Sequence, residues 1–217
     1  MYKKVKVLEK DNKLKVKEIT DYTYAKDLTS SIITIDEVYE ACKSLSIFFQ
    51  INEKNKNLVA ILGAKYNNFV NKEGKWEKNI YIPAYIRRYP FIFIEKDNNL
   101  ILAYDEESKA VNTKEGKTLF NDNEPTQFTQ KILDFMKEYQ ISYTKTQKLI
   151  EEIEKLDILE DVVLTINNNK LTGIKKVNED KLNNLEDNKL LEITKNGIYK
   201  FIIAHLISLS NINKLKG

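Results

Sequence analysis

The sequence predicts an α+β fold in which a strand-rich N-terminal part packs against a helix-rich C-terminal part. Short apolar runs separated by polar turns fill the chain up to about Phe120. From Phe128 to Leu156 the apolar residues instead recur with the helical period. No Ser-rich or Pro-rich stretch divides the 217 residues, and a chain of this length with 42% hydrophobic residues can bury one core. We therefore expect one domain over residues 1–217.

The N-terminal part contains signals for a hairpin, a helix and a pair of strands. Residues 5–17 alternate between apolar residues and lysines around Asp11-Asn12, which predicts a β-hairpin. Asp36 is the predicted N-cap of a helix, because apolar residues follow it at helical spacing. Two apolar runs, 47–51 and 58–62, flank a polar connection and predict two paired strands.

Further along, 91–95 and 100–104 flank a turn of Asp and Asn residues and predict a second hairpin. The long amphipathic helix follows, with a break near Ser142 left open. The last predicted elements are a third hairpin, in which 162–166 and 171–177 flank the turn Asn167-Asn168-Asn169, and a buried final helix over 198–209.

Composition argues against several classes of protein. Thirty-five basic residues against 32 acidic give a net charge of +3, and lysines are interleaved with carboxylates, so no nucleic-acid partner is expected. The most apolar stretch, 198–209, is shorter than the ~20 residues that span a bilayer, so we expect no membrane insertion. A single cysteine and an N-terminus without a Sec-type signal predict a cytoplasmic protein. Type I export through the C-terminal tail, 210–217, stays an alternative.

The sequence also offers few candidate residues for the common catalytic chemistries. One His and one Cys cannot build the usual zinc or iron centre, and the phosphate-binding motifs GxxxxGK[ST] and GxGxxG are missing, so we expect no metal and no cofactor. His205 is predicted to be a structural histidine of the last helix, and Cys42 a buried apolar residue. Glu151, Glu152 and Glu154 are predicted to lie on the wet face of the long helix.

The segment 82–91 is the most informative part of the sequence. It holds the only two arginines, Arg87 and Arg88, among 35 basic residues. A composition that favours lysine this strongly should keep arginine only where the planar guanidinium is needed. Pro83 predicts the first turn of a short helix, and Tyr89, standing before Pro90, favours entry into a strand.

Two roles for these arginines stay open. One of them could pair with an internal carboxylate such as Asp105 and fix two hairpins together. Alternatively, both guanidinium groups could face a carboxylate ligand in a pocket above the segment. Asp105, Glu106 and Glu107 directly follow a predicted strand, where loop side chains often serve a site, although a polar turn is the simpler interpretation.

At these residues the chain resembles a known family. The string Pro-Ala-Tyr-Ile-Arg-Arg-Tyr-Pro-Phe, 83–91, resembles the signature of the bacterial SapC family. Tyr-Asp-Glu-Glu-Ser, 104–108, is similar to its acidic loop, and Gly116 with Leu119-Phe120 to its G-x-x-L-F element. Leucine-rich pieces in 171–177, 181–185 and 206–212 extend the resemblance over nearly the whole chain.

The resemblance implies a function without supplying a reaction. The family takes its name from loci of the surface array, or S-layer, of Gram-negative bacteria, and other members occur beside peptide-modifying or uptake genes. It implies an accessory protein of the S-layer or its export, binding a protein or peptide partner such as an S-layer subunit or the export machinery. The competing hypothesis is an enzyme or small-ligand-binding protein with a carboxylate-recognising site. The candidate ligand-binding residues are Arg87, Arg88, Tyr89, Asp105 and Ser108.

Overall fold

The computed structural model describes residues 1–10, 13–53, 55–166 and 168–215. With 35% helix and 29% strand it confirms the α+β prediction. The strands are β1 (Val5–Val7), β2 (Lys15–Val16), β3 (Ser30–Ile33), β4 (Ser46–Ile51), β5 (Lys56–Ile61), β6 (Phe91–Lys96), β7 (Asn99–Asp105), β8 (Val111–Asn112), β9 (Lys117–Thr118), β10 (Phe120–Asn121), β11 (Glu124–Pro125), β12 (Leu159–Ile166) and β13 (Asn169–Val177). The α-helices are α1 (Val38–Ala41), α2 (Ala84–Arg87), α3 (Gln127–Glu154), α4 (Glu179–Asn183), α5 (Asp187–Lys195) and α6 (Ile198–Ser208). Three 3₁₀ helices cover Thr23–Ala25, Ile35–Glu37 and Leu209–Lys214.

The largest sheet has five antiparallel strands in the order β12-β13-β4-β5-β3. Its core side packs on α6 and on the C-terminal half of α3, where Phe49, Ile150 and Phe201 belong to one buried cluster. These side chains are large and almost fully excluded from water. Burial of such apolar surface is the main stabilising term in a fold of this size.

A second layer is built from two three-stranded sheets, β1-β7-β6 and β8-β2-β9. Its cluster includes Phe91, Leu102, Leu119 and Met136, of which Met136 comes from the N-terminal half of α3. Helix α3 therefore packs on both clusters. The segment 83–91 also joins them, because Ile86 belongs to the first cluster and Phe91 to the second.

The two hairpins with turns of Asn and Asp are confirmed. Strands β6 and β7 pair from Phe91↔Tyr104 to Lys96↔Asn99, and Asp97 and Asn98 between them adopt positive φ angles of 51° and 58°. Strands β12 and β13 pair antiparallel as well, although residue 167 of the predicted turn lies outside the described residues. The pair β4 and β5 is likewise confirmed.

The prediction of an N-terminal hairpin was wrong. Strand β1 pairs with β7, whereas β2 lies between β8 and β9 in another sheet. The predicted turn, Asp11-Asn12, lies outside the described residues. The alternation of apolar residues and lysines correctly indicated two strands. Both strands, however, pair with strands about 100 positions later in the chain, and a local pattern carries no information about such distant pairing.

One helix prediction was wrong, and the structure answers the open question of a break in the long helix. Thr34, and not Asp36, caps the helical segment: Thr34 and Glu37 form a reciprocal capping box, and α1 ends already at Ala41. Helix α3 is continuous through Ser142, which is buried and whose carbonyl accepts a hydrogen bond from the Thr146 hydroxyl. The Ser142 hydroxyl itself has no hydrogen-bond partner among the described residues, so the helix continues because apolar residues on both sides of Ser142, such as Met136 and Ile150, pack on the two clusters.

The predictions of a structural histidine at position 205 and a buried cysteine at position 42 are confirmed. His205 is fully buried, its Nε2 accepts the Val177 N–H at 3.1 Å, and its ring contacts Phe49. Burial lowers the pKa of His205 to about 4. Cys42 is 8% exposed, and burial raises the pKa of its thiol. On α3, Glu151 and Glu152 are exposed, and Glu154 forms an ion pair with Lys56 at 2.8 Å.

Candidate functional site

The short helix α2 is anchored on a buried carboxylate that the sequence interpretation missed. Pro83 is the N-cap residue of α2, one position earlier than predicted, so the first free N–H is that of Ala84. This N–H donates to Glu37 Oε1 at 2.6 Å, and the Tyr81 hydroxyl donates to the same oxygen at 3.1 Å. The other oxygen of Glu37 accepts the Thr34 N–H and hydroxyl. The T-x-x-E spacing of Thr34 and Glu37 is a capping-box signal that could have been found in the sequence.

Arg87 is connected to this carboxylate through a tyrosine. Its Nε donates to the Ile82 carbonyl at 3.0 Å, and a terminal nitrogen donates to the Tyr81 hydroxyl at 3.2 Å. The guanidinium also lies 5.4 Å from the ring centre of Phe135 on α3. Burial first, and then the nearby Glu37 charge, raises the pKa of Tyr81 to about 12, so its hydroxyl keeps the proton that it donates.

Arg88 lies in a cage of three tyrosine rings, which we call the tyrosine cage. The guanidinium carbon is 4.3 Å from the ring centre of Tyr85, 5.0 Å from Tyr139 and 5.9 Å from Tyr2. Burial raises the pKa of Tyr2 and of Tyr139 well above the ordinary tyrosine value, so the rings stay neutral. The three rings come from the N-terminus, α2 and α3, and the arginine joins these segments by cation–π contacts.

The predicted ion pair between an arginine and Asp105 was wrong. Asp105 is fully buried and accepts the backbone N–H groups of Lys4 at 2.9 Å, Lys3 at 3.2 Å and Glu107 at 3.3 Å, together with the Tyr89 hydroxyl at 3.0 Å. Burial alone would raise the pKa of Asp105, but these bonds hold it below the usual value. Within the described ranges, neither arginine comes within salt-bridge distance of a carboxylate.

Tyr89 connects Asp105 to an open cleft. Its ring stacks on Tyr24 with centres 4.0 Å apart and planes inclined by 14°, while its hydroxyl points back to Asp105. Burial first, and then the neighbouring Asp105 charge, raises the pKa of Tyr89. The cleft, which we call the Tyr89 cleft, has a volume of about 450 Å³ and is bordered by three segments of chain: residues 1–3, 17–27 and 107–110.

Charged and hydroxyl side chains make up much of the lining of the Tyr89 cleft. Lys109 and Asp21 face each other from two of its walls at 4.0 Å, the limit of an ion pair. Ser108 is buried in the wall, and its hydroxyl accepts the Ala110 N–H at 3.2 Å. No group of three or more metal-binding His, Cys, Asp or Glu side chains occurs in the part of the chain that the structure describes.

The five candidate residues thus separate into two groups. Tyr89 and Ser108 line the cleft, and Asp105 accepts the hydrogen bond of the Tyr89 hydroxyl. The side chains of Arg87 and Arg88 are not part of the cleft lining and contact residues of their own chain. That these residues bind a ligand stays a prediction. Sequence reasoning missed Tyr2, Tyr24 and Tyr139, because nothing in a list of twelve tyrosines indicates which of them meet.

The comparisons with known proteins agree with the resemblance in the sequence. The family model described as SapC matches residues 9–215, which is almost the entire chain. The chain belongs to the SapC family. No curated protein and no solved structure matches it. Among the described residues, the SapC chain has no helix with the length and apolar character needed to span a bilayer.

The family match contains the candidate residues but not everything they contact. Both 83–91 and 104–108 lie inside the matched range. Residues 1–8 precede it, yet Tyr2 closes the tyrosine cage and the Lys3 and Lys4 N–H groups bind Asp105. In this SapC protein the site therefore includes a segment outside the family match.

Proposed function

We propose that this SapC protein is an accessory protein of the S-layer or its export, and that it binds a protein or peptide partner in the Tyr89 cleft. The observation that carries the proposal is the cleft itself, which the signature residue Tyr89 and the acidic-loop residue Ser108 help to form. Its volume of about 450 Å³ falls within the range of pockets that hold small molecules or part of a peptide. The S-layer association rests on the family alone.

The way in which the cleft hydroxyls are used supports binding over a reaction. The Tyr89 hydroxyl donates to Asp105, and the Ser108 hydroxyl accepts a backbone N–H of its own loop. A nucleophile needs a neighbouring base that can take its proton. Here the carboxylate beside Tyr89 already accepts three backbone N–H groups, and its pKa is lowered, which makes it a weak base.

Intramolecular contacts of the arginines favour a supporting role over carboxylate recognition. Arg88 lies against three rings, and Arg87 uses two of its nitrogens on Ile82 and Tyr81. At Arg87, a ligand carboxylate that binds by two parallel hydrogen bonds would have to compete with these two bonds. We propose that the pair holds α2, α3 and the N-terminus together and so shapes the cleft from behind.

We also propose a cytoplasmic location for the protein. The chain has one cysteine, Cys42, which is buried and free, and a protein without disulfides fits a reducing compartment. Fractionation of the native cell checks this, because recovery of most of the protein in the surface or medium fraction would contradict it.

Site-specific photo-crosslinking in the native cell tests the proposed function. A photoreactive residue replaces Lys109, which is exposed in the cleft wall, and a control replaces Lys148, which is exposed on α3. We expect a crosslink from position 109, absent from position 148, to an S-layer subunit or to a protein of the export machinery. Equal crosslinking from both positions, or a crosslinked partner unrelated to the surface array, would contradict the proposal.

A further inference from the structure

The Tyr89 cleft lies where two antiparallel segments separate. Val16 of β2 pairs with Val111 of β8, and the Lys17 N–H continues the ladder with a 2.9 Å bond to the Ala110 carbonyl. Beyond this bond, 18–20 form one wall of the cleft and 107–109 form another. No backbone hydrogen bond joins these two walls in the described structure. The cleft is therefore a wedge that opens at the end of a β-ladder.

Backbone groups along the wedge have no protein partner. In the described part of the chain, the N–H groups of Glu18, Ile19 and Thr20 and the carbonyls of Glu18 and Ile19 make no hydrogen bond. The Lys109 N–H on the other wall is equally without an acceptor. Glu18, Thr20 and Lys109 are exposed, and Ile19 is partly exposed. Unpaired N–H and C=O groups that continue a strand are a template for another strand.

The side chains around these groups do not select strongly for either sign of charge. Three lysines and four carboxylates line the cleft: Lys3, Lys17, Lys109, Glu18, Asp21, Asp27 and Glu107. A site specialised for an anion or a cation would concentrate one sign. The stacked rings of Tyr24 and Tyr89 add an aromatic surface in the same cleft, suited to one apolar or aromatic side chain.

We propose that the Tyr89 cleft binds an extended peptide segment of the partner as an added β-strand along residues 18–20. This proposal rests on the proposed function and specifies how the partner is recognised, namely through its main chain. The N–H and C=O groups of Ile19, which face the same side as the Lys17 N–H, pair with the peptide backbone, and one peptide side chain contacts the Tyr24 and Tyr89 rings. Alternate peptide residues face the wall, because a strand repeats every two residues.

A scan of peptide N-methylation tests this mode of binding. Peptides selected from a random linear library on the immobilised full chain are synthesised, and their affinity is measured by fluorescence anisotropy. Each peptide N–H is then methylated in turn, which removes one donor and leaves the side chain in place. We expect about tenfold weaker binding at every second position and little change between them, since one backbone hydrogen bond is worth roughly a factor of ten.

Hydrogen exchange of the protein gives an independent readout. Addition of the selected peptide should slow exchange of the Ile19 and Lys109 amides by about tenfold or more, because N–H groups alternate in direction along an extended chain and that of Ile19 faces the same side as that of Lys17. The turn at Asp97 and Asn98, which lies between β6 and β7, should show no change.

The outcomes separate the two proposals. Peptides that protect 107–110 but show no alternation on methylation, or that free amino acids displace, would overturn strand addition and leave a binding cleft in place. Peptides that bind without protecting any cleft amide, or failure to select a binding peptide at all, would overturn both proposals.

Discussion

Replacement of Arg88 tests whether the tyrosine cage is the reason for this arginine. The guanidinium lies 4.3, 5.0 and 5.9 Å from three ring centres, all within the ~6 Å range of cation–π attraction. Such contacts contribute about 0.5–1 kcal/mol each at exposed sites and up to ~2 kcal/mol when desolvated. For a half-buried arginine we expect Arg88→Ala to lower the free energy of unfolding by about 2–3 kcal/mol.

Conservative variants distinguish the contributions. Arg88→Lys keeps the charge but not the planar stacking on Tyr85, so a loss of about 1 kcal/mol is expected. Arg88→Met keeps the apolar stem and removes a buried Nε that has no hydrogen-bond partner among the described residues, so its loss should lie between the other two. Lys148→Ala, an exposed position on α3, should change stability by less than about 0.5 kcal/mol.

Urea unfolding measures these differences, and thermal unfolding checks them, since about 1 kcal/mol shifts the midpoint by ~2–4 °C in a chain of this size. A loss above about 4 kcal/mol for Arg88→Ala would indicate that a buried carboxylate had been left without its partner. No loss at all would mean that the cage contributes nothing. Because Arg88 does not line the Tyr89 cleft, Arg88→Lys should preserve crosslinking from position 109. Loss of crosslinking in a stable Arg88→Lys variant would instead support carboxylate recognition.

Three further predictions concern stability. Because the pKa of His205 is depressed from 6.5 to about 4, the unfolded state takes up the proton first, and the histidine should cost roughly 3 kcal/mol of stability as the pH drops through this interval. Urea unfolding across it should show a slope that His205→Gln reduces, most clearly at the upper end, where the carboxylates do not yet titrate. Asp105→Asn should cost about 1–3 kcal/mol and release the Lys3 and Lys4 amides, seen as faster hydrogen exchange there, since an amide cannot accept all four bonds. Gly116→Ala should lower the stability of the protein by at least ~1–3 kcal/mol in a thermal melt, because φ is +110° and the new Cβ would lie 2.4 Å from the Val16 carbonyl oxygen. The control Gly173→Ala should cost less, because φ is +75° there but the new Cβ would meet no atom within 4 Å.

The elements that could be predicted from sequence are those whose partners are close along the chain. The turn at Asp97 and Asn98 determines the register of β6 and β7, because both residues adopt the left-handed backbone that closes a two-residue turn. The period of α3 is equally local. Strand β1, by contrast, pairs with β7 about 100 residues later, and non-local bonds such as those from Lys3 and Lys4 to Asp105 hold it there.

The same limit applies to the site. The scarcity of arginine correctly indicated contacts that depend on the shape of the guanidinium, yet the expected carboxylate partner was wrong. A carboxylate such as Asp105 looks available in the sequence, but folding surrounds it with backbone N–H groups, which satisfy it without a cation. Arg88 then meets rings that the sequence scatters over 137 positions, from Tyr2 to Tyr139. Composition could thus single out the arginine, whereas its partner depended on which distant segments the two hydrophobic clusters bring together.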